Sequence, residues 1–359
     1  MIKSFLSVFI SIVCSTIVHA QTIDQLIKKF DKSIDSLHTI NEFNGNILLV
    51  KNGIRLYEKS IGFTNSKANQ RLNSSSAFNL ASISKTFTSS LILMYVQEGK
   101  LKIDDQVHSY LPSFPYKDIT IRHLLNHTHG MIEYFDWIND TLKINDTIGN
   151  DQLLVLLSKY KPALNSVPGE KFNYCNTGYA VLSKVLETIS GVPYAALLKS
   201  KITKPLKLEN TYVQTVKMSN SPKNRVYGMQ YKEGRWNTYD LTTLDEVVGD
   251  GNIYSTVYDL QKWDQALRDG KVLKPEILNE AYTPSVLIEK PKMVYGLGWI
   301  INEPGKKVSH SGSWNGFKNN MVRDLQNGYT LISLSNGTSG ITSYKLLDQF
   351  EKALSNLKQ

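Results

Sequence analysis

Ser82 and Lys85 stand three residues apart in the stretch Asn79-Leu80-Ala81-Ser82-Ile83-Ser84-Lys85-Thr86-Phe87-Thr88, which reads as the first turns of a helix. Residues three apart share a helix face, so the hydroxyl and the amine can meet. Such a pair offers nucleophilic chemistry: the amine takes the hydroxyl proton while the oxygen attacks a carbonyl carbon. The continuation, Leu91-Ile92-Leu93-Met94-Tyr95-Val96, is apolar on nearly every side, as a buried helix is. A lysine near its start is partly desolvated, which favours the neutral, basic amine. The helix N-terminus also favours the negative charge of an alkoxide and of an oxyanion. The pattern alone is weak, because Ser-x-x-Lys recurs at Ser158/Lys161 and Ser355/Lys358. A serine ahead of a helix most often only caps it.

Two further groups fit the same chemistry. Tyr174-Cys175-Asn176 opens a helical pattern over Thr177–Ile189. A phenol beside an ammonium can shuttle a proton, and the Asn176 amide can hold a substrate carbonyl. The plainer reading is that Asn176 caps its helix and Tyr174 packs. His310-Ser311-Gly312-Ser313 follows an extended run from Lys306 to Val308. Glycine in a strand often marks close backbone approach by a ligand, so this strand edge is expected to receive an extended substrate. The plainer reading is a loop histidine with a turn glycine.

These groups need a scaffold. Asn44–Val50 and Ile54–Ile61 flank Asn52-Gly53, a strong hairpin signal, and Asn319–Asp324 and Tyr329–Leu334 flank Asn327-Gly328. Helices are expected over Ile23–Leu37 and Tyr344–Leu357. The reading is therefore a mixed α/β (α+β) fold: one antiparallel sheet built from both chain ends, about 21–75 and 291–359, flanked by the terminal helices. A large helical insertion occupies about 76–290, with helices at Ile121–Leu125, Leu153–Tyr160, Thr177–Ile189 and Val257–Leu267, the last behind a capping-box-like Thr256-x-x-Asp259. The cleft between the two parts is the expected site.

The chain of 359 residues is long enough for one large domain; it is 41% hydrophobic and 20% charged, as soluble globular proteins are. The net charge of +9 comes from scattered residues rather than a stripe, which gives no nucleic-acid footprint. Residues 1–20 read as a secretory signal, with Lys3 at the start, a short apolar core from Phe5 to Val18 and a Val18-His19-Ala20 cleavage site before Gln21. Export to the periplasm or medium is expected, with no membrane-spanning segment in the remainder. Cys14 lies in the apolar core behind Val13, a poor setting for lipidation. The single cysteine left, Cys175, allows no internal disulfide.

Taken together, Ser82-Ile83-Ser84-Lys85, Tyr174-Cys175-Asn176 and His310-Ser311-Gly312, in this order and spacing, resemble the serine β-lactamase and penicillin-recognising family, most closely its class C and DD-peptidase branch. Supporting phrases are Leu124-Leu125-Asn126-His127-Thr128-His129-Gly130, Pro205-Leu206-Lys207-Leu208-Glu209-Asn210-Thr211, Gly249-Asp250-Gly251 with Ser255-Thr256, and Tyr295-Gly296-Leu297-Gly298-Trp299. The resemblance covers nearly the whole chain after the signal. It implies a β-lactamase/DD-peptidase-like fold, with Ser82 acylated and Lys85 and Tyr174 handling protons. It implies backbone N–H groups of Ser82 and Ser313 as the oxyanion hole, and Asn176 with the His310–Ser311–Gly312 strand orienting substrate. No metal or cofactor is implied, the partner is a small molecule or peptide (a wall peptide, an ester or a β-lactam), and a monomer is expected. His310 stands where class C β-lactamases carry lysine; histidine there is similar to some DD-peptidases, D-aminopeptidases and esterases. His129 stands where relatives usually carry serine.

The expected activity is thus that of a DD-peptidase-like or esterase-like hydrolase, with a class C-like β-lactamase as the alternative and a non-catalytic penicillin- or wall-peptide-binding protein as the third reading. Two rivals rest on other residues. His123, His127 and His129 cluster as the ligands of a metal hydrolase do, but Gly130-Met131-Ile132-Glu133 follows where further ligands are needed. Cys175 as nucleophile competes with a small buried side chain at a helix start.

Overall fold

The structure, a computed structural model, describes residues 23–67, 69–218, 220–285 and 294–337. The expected signal, Cys14, the Ser355/Lys358 pair and the helix at Tyr344–Leu357 lie outside these residues. In chain order the elements are α1 (23–39), β1 (Gly45–Lys51), β2 (Ile54–Ile61), β3 (Phe78–Asn79), α2 (Ser84–Gln97), α3 (Ile121–Leu125), α4 (Tyr134–Asp136), α5 (Asn150–Tyr160), α6 (Thr177–Ser190), α7 (Tyr194–Leu198), β4 (Tyr212–Val213), β5 (Met229–Lys232), β6 (Arg235–Thr238), β7 (Ile253–Ser255), α8 (Val257–Arg268), α9 (Pro275–Ala281), β8 (Ile300–Glu303), β9 (Lys307–Trp314), β10 (Phe317–Asp324) and β11 (Tyr329–Ser335).

Both chain ends build one six-stranded sheet, in the order β2-β1-β11-β10-β9-β8. The join is the antiparallel pairing of β1 with β11, from Gly45 opposite Ser335 to Lys51 opposite Tyr329. The first hairpin closes as its Asn-Gly pair requires, with Asn52 at φ +48° and Gly53 at φ +81°, a turn whose twist matches that of the strands. The second hairpin is longer. Among 325–328 only Gly328 has positive φ, and Asp324 ties the turn by accepting from Asn327 N–H at 2.8 Å.

The sheet is buried on both faces, which explains the unbroken apolar run Ile47-Leu48-Leu49-Val50. Ile47 and Leu49 pack with Phe30 and Ile34 of α1. Leu48 and Val50 enter the main core with α2 and α8, where Phe87 and Trp263 stack at 4.3 Å between centroids. The middle segment carries, besides its helices, a three-stranded sheet β3-β7-β4 and the hairpin β5-β6, which the sequence reading did not expect. These strands are two to four residues long, too short for alternation to register. Among the described residues no single helix is long and apolar enough to cross a membrane.

Candidate active site

Ser82 lies in a single 3₁₀ turn, Ala81–Ile83, that leads from β3 into α2. Neither the turn nor α2 has a side-chain N-cap bond, so Ser82 does not serve as a cap. Ala81, immediately before it, holds φ +48°, a conformation that costs an L-residue roughly 1–2 kcal/mol. Two contacts hold it there. The Asn79 side chain accepts from Ala81 N–H at 2.9 Å, and β9 packs against the turn at Gly312. A Cβ at Gly312 would lie 2.1 Å from the Leu80 carbonyl oxygen. The glycine therefore permits close approach by the chain's own backbone. β9 is locked against the turn that presents Ser82.

Lys85 is fully buried. Its Nζ lies 3.1 Å from Ser82 Oγ, 2.7 Å from Asn176 Oδ1 and 2.7 Å from the Asp250 carbonyl oxygen. The last two atoms can only accept, so they occupy two N–H bonds of the amine and direct its third position at Ser82. Asn176 starts α6 without a side-chain cap bond, and its amide is used sideways instead. Oδ1 accepts from Lys85, while Nδ2 and the backbone N–H both donate to Glu133 Oε2 at 2.8 Å. Glu133 Oε1 accepts from Tyr134 N–H at 3.0 Å. Burial pushes the Glu133 carboxyl up to about 7, against the pull of the Asn176 donors. Burial likewise raises Asp250, whose carboxyl accepts from the Tyr134 hydroxyl at 3.1 Å.

The Tyr174 ring centroid is 5.2 Å from Lys85 Nζ. The ring lies against His127, with centroids 4.2 Å apart. His127 adopts φ +60° and bonds the Cys175 backbone through Nδ1, at 3.1 Å from its carbonyl oxygen. Burial and then Lys85 hold its ring well below the usual histidine range. His129 has a packing role. Its Nδ1 accepts from Met131 N–H at 3.0 Å, burial holds it down at about 3, and its ring fills the space beside Gly178, where a Cβ would sit 2.7 Å from Nε2. His123 Nδ1 accepts instead from Thr120 N–H, in the capping box of α3. The three histidines thus have separate partners, and among the described residues no group of three or more metal-ligating side chains is arranged to hold an ion. The Cys175 thiol is buried and pushed up to about 12 by desolvation, so it supplies no thiolate at neutral pH.

On β9, His310 is buried with both ring nitrogens engaged. The Ser311 carbonyl, 2.6 Å from Nδ1, can only accept, which places the proton on Nδ1 and leaves Nε2 to accept from the Tyr295 hydroxyl at 2.8 Å. Burial pushes this histidine down to about 3, so the strand carries no positive charge there. Lys318, opposite Ser313 on β10, donates to Ser313 Oγ at 2.5 Å.

A cavity of about 290 Å³ is lined by Ser82, Tyr174, Asn176, His310, Ser311 and Ser313, and its wall also includes Tyr134, Phe135, Leu244, Asp245, Asp250 and Trp314. The residues singled out from sequence come together: six face one cavity, Lys85 backs Ser82, and Gly312 joins β9 to the nucleophile turn. The other described Ser-x-x-Lys pair, Ser158/Lys161, ends α5 with Lys161 exposed. Sequence reasoning missed the roles of Glu133, Asp250, His127 and Tyr295. For His127 and Asp250 the phrases around them were visible; for Glu133 nothing in its neighbourhood announces a partner at position 176.

Comparison with known proteins agrees with this geometry. A family model described as Beta-lactamase matches residues 24–354. Penicillin-binding protein 4* of Bacillus subtilis (strain 168) is 33% identical over 323 residues, covering 86% of this chain and 71% of that protein. The fold is similar to the crystal structure of a penicillin binding protein from Bacillus halodurans, with a TM-score of 0.78 at 24% identity, over 89% of this chain and 98% of that one. It is also similar to the D-amino acid amidase from Ochrobactrum anthropi SV3, with a TM-score of 0.78 at 20% identity, over 93% and 100%. The matched span, the relative and the arrangement around Ser82 agree: this chain belongs to the Beta-lactamase family.

Proposed function

We propose that the protein is an exported serine hydrolase that acts through an acyl-enzyme on D-amino-acid peptides, esters or related amides. The observation that carries this reading is the 3.1 Å contact of Lys85 Nζ with Ser82 Oγ, with the amine's other two bonds on oxygens that cannot donate. With two N–H bonds so occupied, a neutral amine turns its lone pair to Ser82. Ser82 Oγ attacks the substrate carbonyl carbon as its proton passes to Lys85. The tetrahedral oxyanion is stabilised at the start of α2 and by the backbone N–H groups of Ser82 and Ser313. Collapse breaks the bond to the leaving group, which takes a proton relayed through Tyr174, and leaves an ester on Ser82. Water then gives a proton to the amine as its oxygen attacks the ester carbon, the bond to Ser82 Oγ breaks with return of that proton to Oγ, and the acid is released.

The neutral His310 offers no cation at this position to a substrate carboxylate, which favours esters and amides without a free carboxylate over a β-lactam or a peptide with a free C-terminus. The similarity to a penicillin-binding protein supports the acyl-enzyme reading. Export rests on the signal-like residues 1–20. Intact-protein mass spectrometry during incubation with a D-alanyl peptide, a D-alanyl ester and a cephalosporin tests the reading. The expected result is a transient acyl mass with product release from the peptide or ester. Acylation without release would identify a binder, and turnover abolished by a chelator would identify a metal hydrolase.

A further inference from the structure

We infer that Glu133 is a positioning residue for the base: it fixes the Asn176 amide in the one orientation that presents Oδ1 to Lys85. This inference rests on the acyl-enzyme reading above. An asparagine amide can be turned over by 180°, exchanging its acceptor and its donor. In the reversed orientation Nδ2 would face the Lys85 amine, two donors would oppose each other, and Lys85 would lose one of the two acceptors that aim it. Glu133 selects between the two orientations, because Oε2 takes the side-chain Nδ2 and the backbone N–H of the same residue, each at 2.8 Å. An amide oxygen in the place of Nδ2 would meet a carboxylate oxygen with no proton between them.

Glu133 is itself fixed. Its other oxygen accepts from Tyr134 N–H at 3.0 Å, so the carboxyl starts α4 and clamps the start of α6 at once. The next residue reaches Lys85 by a second route: the Tyr134 hydroxyl holds the side chain of Asp250, whose carbonyl is the amine's other acceptor. The groups facing Glu133 are Lys85 on α2, Cys175 and Asn176 at the start of α6, and Asp250 in the turn before β7. Burial lifts the carboxyl to about 7, and in either protonation state Oε2, held by two N–H donors, acts as an acceptor toward Asn176. The role is therefore one of orientation, and a glutamine that turns its oxygen to Asn176 keeps it while giving up the contact with Tyr134 N–H.

The test is a double-mutant cycle on the acylation rate of the full-length protein, measured with a penicillin or a fluorophosphonate. Glu133→Ala is expected to slow acylation about 10- to 100-fold, the loss that goes with one hydrogen bond to a charged group. Glu133→Gln is expected to stay within about threefold of wild type. In an Asn176→Ala background, Glu133→Ala is expected to add almost nothing, because the group it orients is gone. Multiplicative effects in the double variant, or a Glu133→Gln variant as slow as Glu133→Ala, would overturn the inference. Thermal melts of each variant identify loss of fold, and Glu133→Gln, which retains the packing, decides the case if Glu133→Ala does not fold. If wild-type protein is not acylated on Ser82 at all, the parent reading fails first and separately.

Discussion

Lys85 reaches Ser82 Oγ at 3.1 Å while its amine is held from behind by Asn176 Oδ1 and the Asp250 carbonyl, each at 2.7 Å. None of these partners is a carboxylate, so the amine is anchored by hydrogen bonds and not by an ion pair. Lys85→Ala removes the base and leaves two buried acceptors without a donor. Acylation is expected to fall by several orders of magnitude in stopped-flow measurements, and melting is expected to shift downward because unsatisfied buried acceptors cost about 1–3 kcal/mol each. Retention of wild-type acylation by Lys85→Ala would remove the amine from the mechanism.

The Tyr174 ring centre lies 5.2 Å from Lys85 Nζ and 4.2 Å from that of His127. Tyr174→Phe keeps both ring contacts and deletes only the hydroxyl. Turnover is expected to drop about 10²- to 10⁴-fold, the usual contribution of a proton relay, with little change in melting temperature. The loss should be smaller for esters whose leaving groups need no proton. Equal rates for Tyr174→Phe and wild type on amide substrates would contradict the assignment.

Much of this site is legible in the sequence for local reasons. Ser82 and Lys85 meet through helical spacing, Asn52-Gly53 sets its hairpin through backbone conformation, and the extended runs near both chain ends mark the strands of one antiparallel sheet. The parts that were not legible depend on contacts distant in sequence. The Asp250 carbonyl that anchors Lys85 is a backbone atom and has no side-chain signature. Glu133 meets Asn176 only because 131–134 packs on the start of α6. Alanine at position 81 gives no warning of φ +48°, since the conformation is imposed by Asn79 and β9 rather than preferred by the residue.

Gly312 tests that imposed geometry. Gly312→Ala places a methyl group 2.1 Å from the Leu80 carbonyl, so β9 and the nucleophile turn must separate. Melting is expected to show a destabilisation on the order of 1–3 kcal/mol, as overpacking gives, together with loss of acylation larger than the stability change explains. Wild-type melting and acylation in Gly312→Ala would show that the two segments can part freely.

Glu133 also predicts a pH dependence. Its folded-state value, about 7, lies above the ordinary carboxyl value of 4.5, so between these values the folded protein binds the extra proton. Stability contributed by this group is therefore greatest in acid and declines as pH rises toward 7. Glu133→Gln carries no charge to bury. Its stability relative to wild type is expected to rise between pH 5 and pH 8, by at most roughly 3 kcal/mol, as read by denaturant midpoints. A pH-independent difference would mean that Glu133 is already ionised in acid.

The most direct measurement is the location of the covalent adduct. The protein is labelled with a fluorophosphonate or a penicillin, digested and mapped by tandem mass spectrometry. The account predicts one modified site, Ser82, on the peptide that contains Lys85, with no adduct in Ser82→Ala. Stoichiometric adduct on another residue, or undiminished labelling of Ser82→Ala, would contradict it.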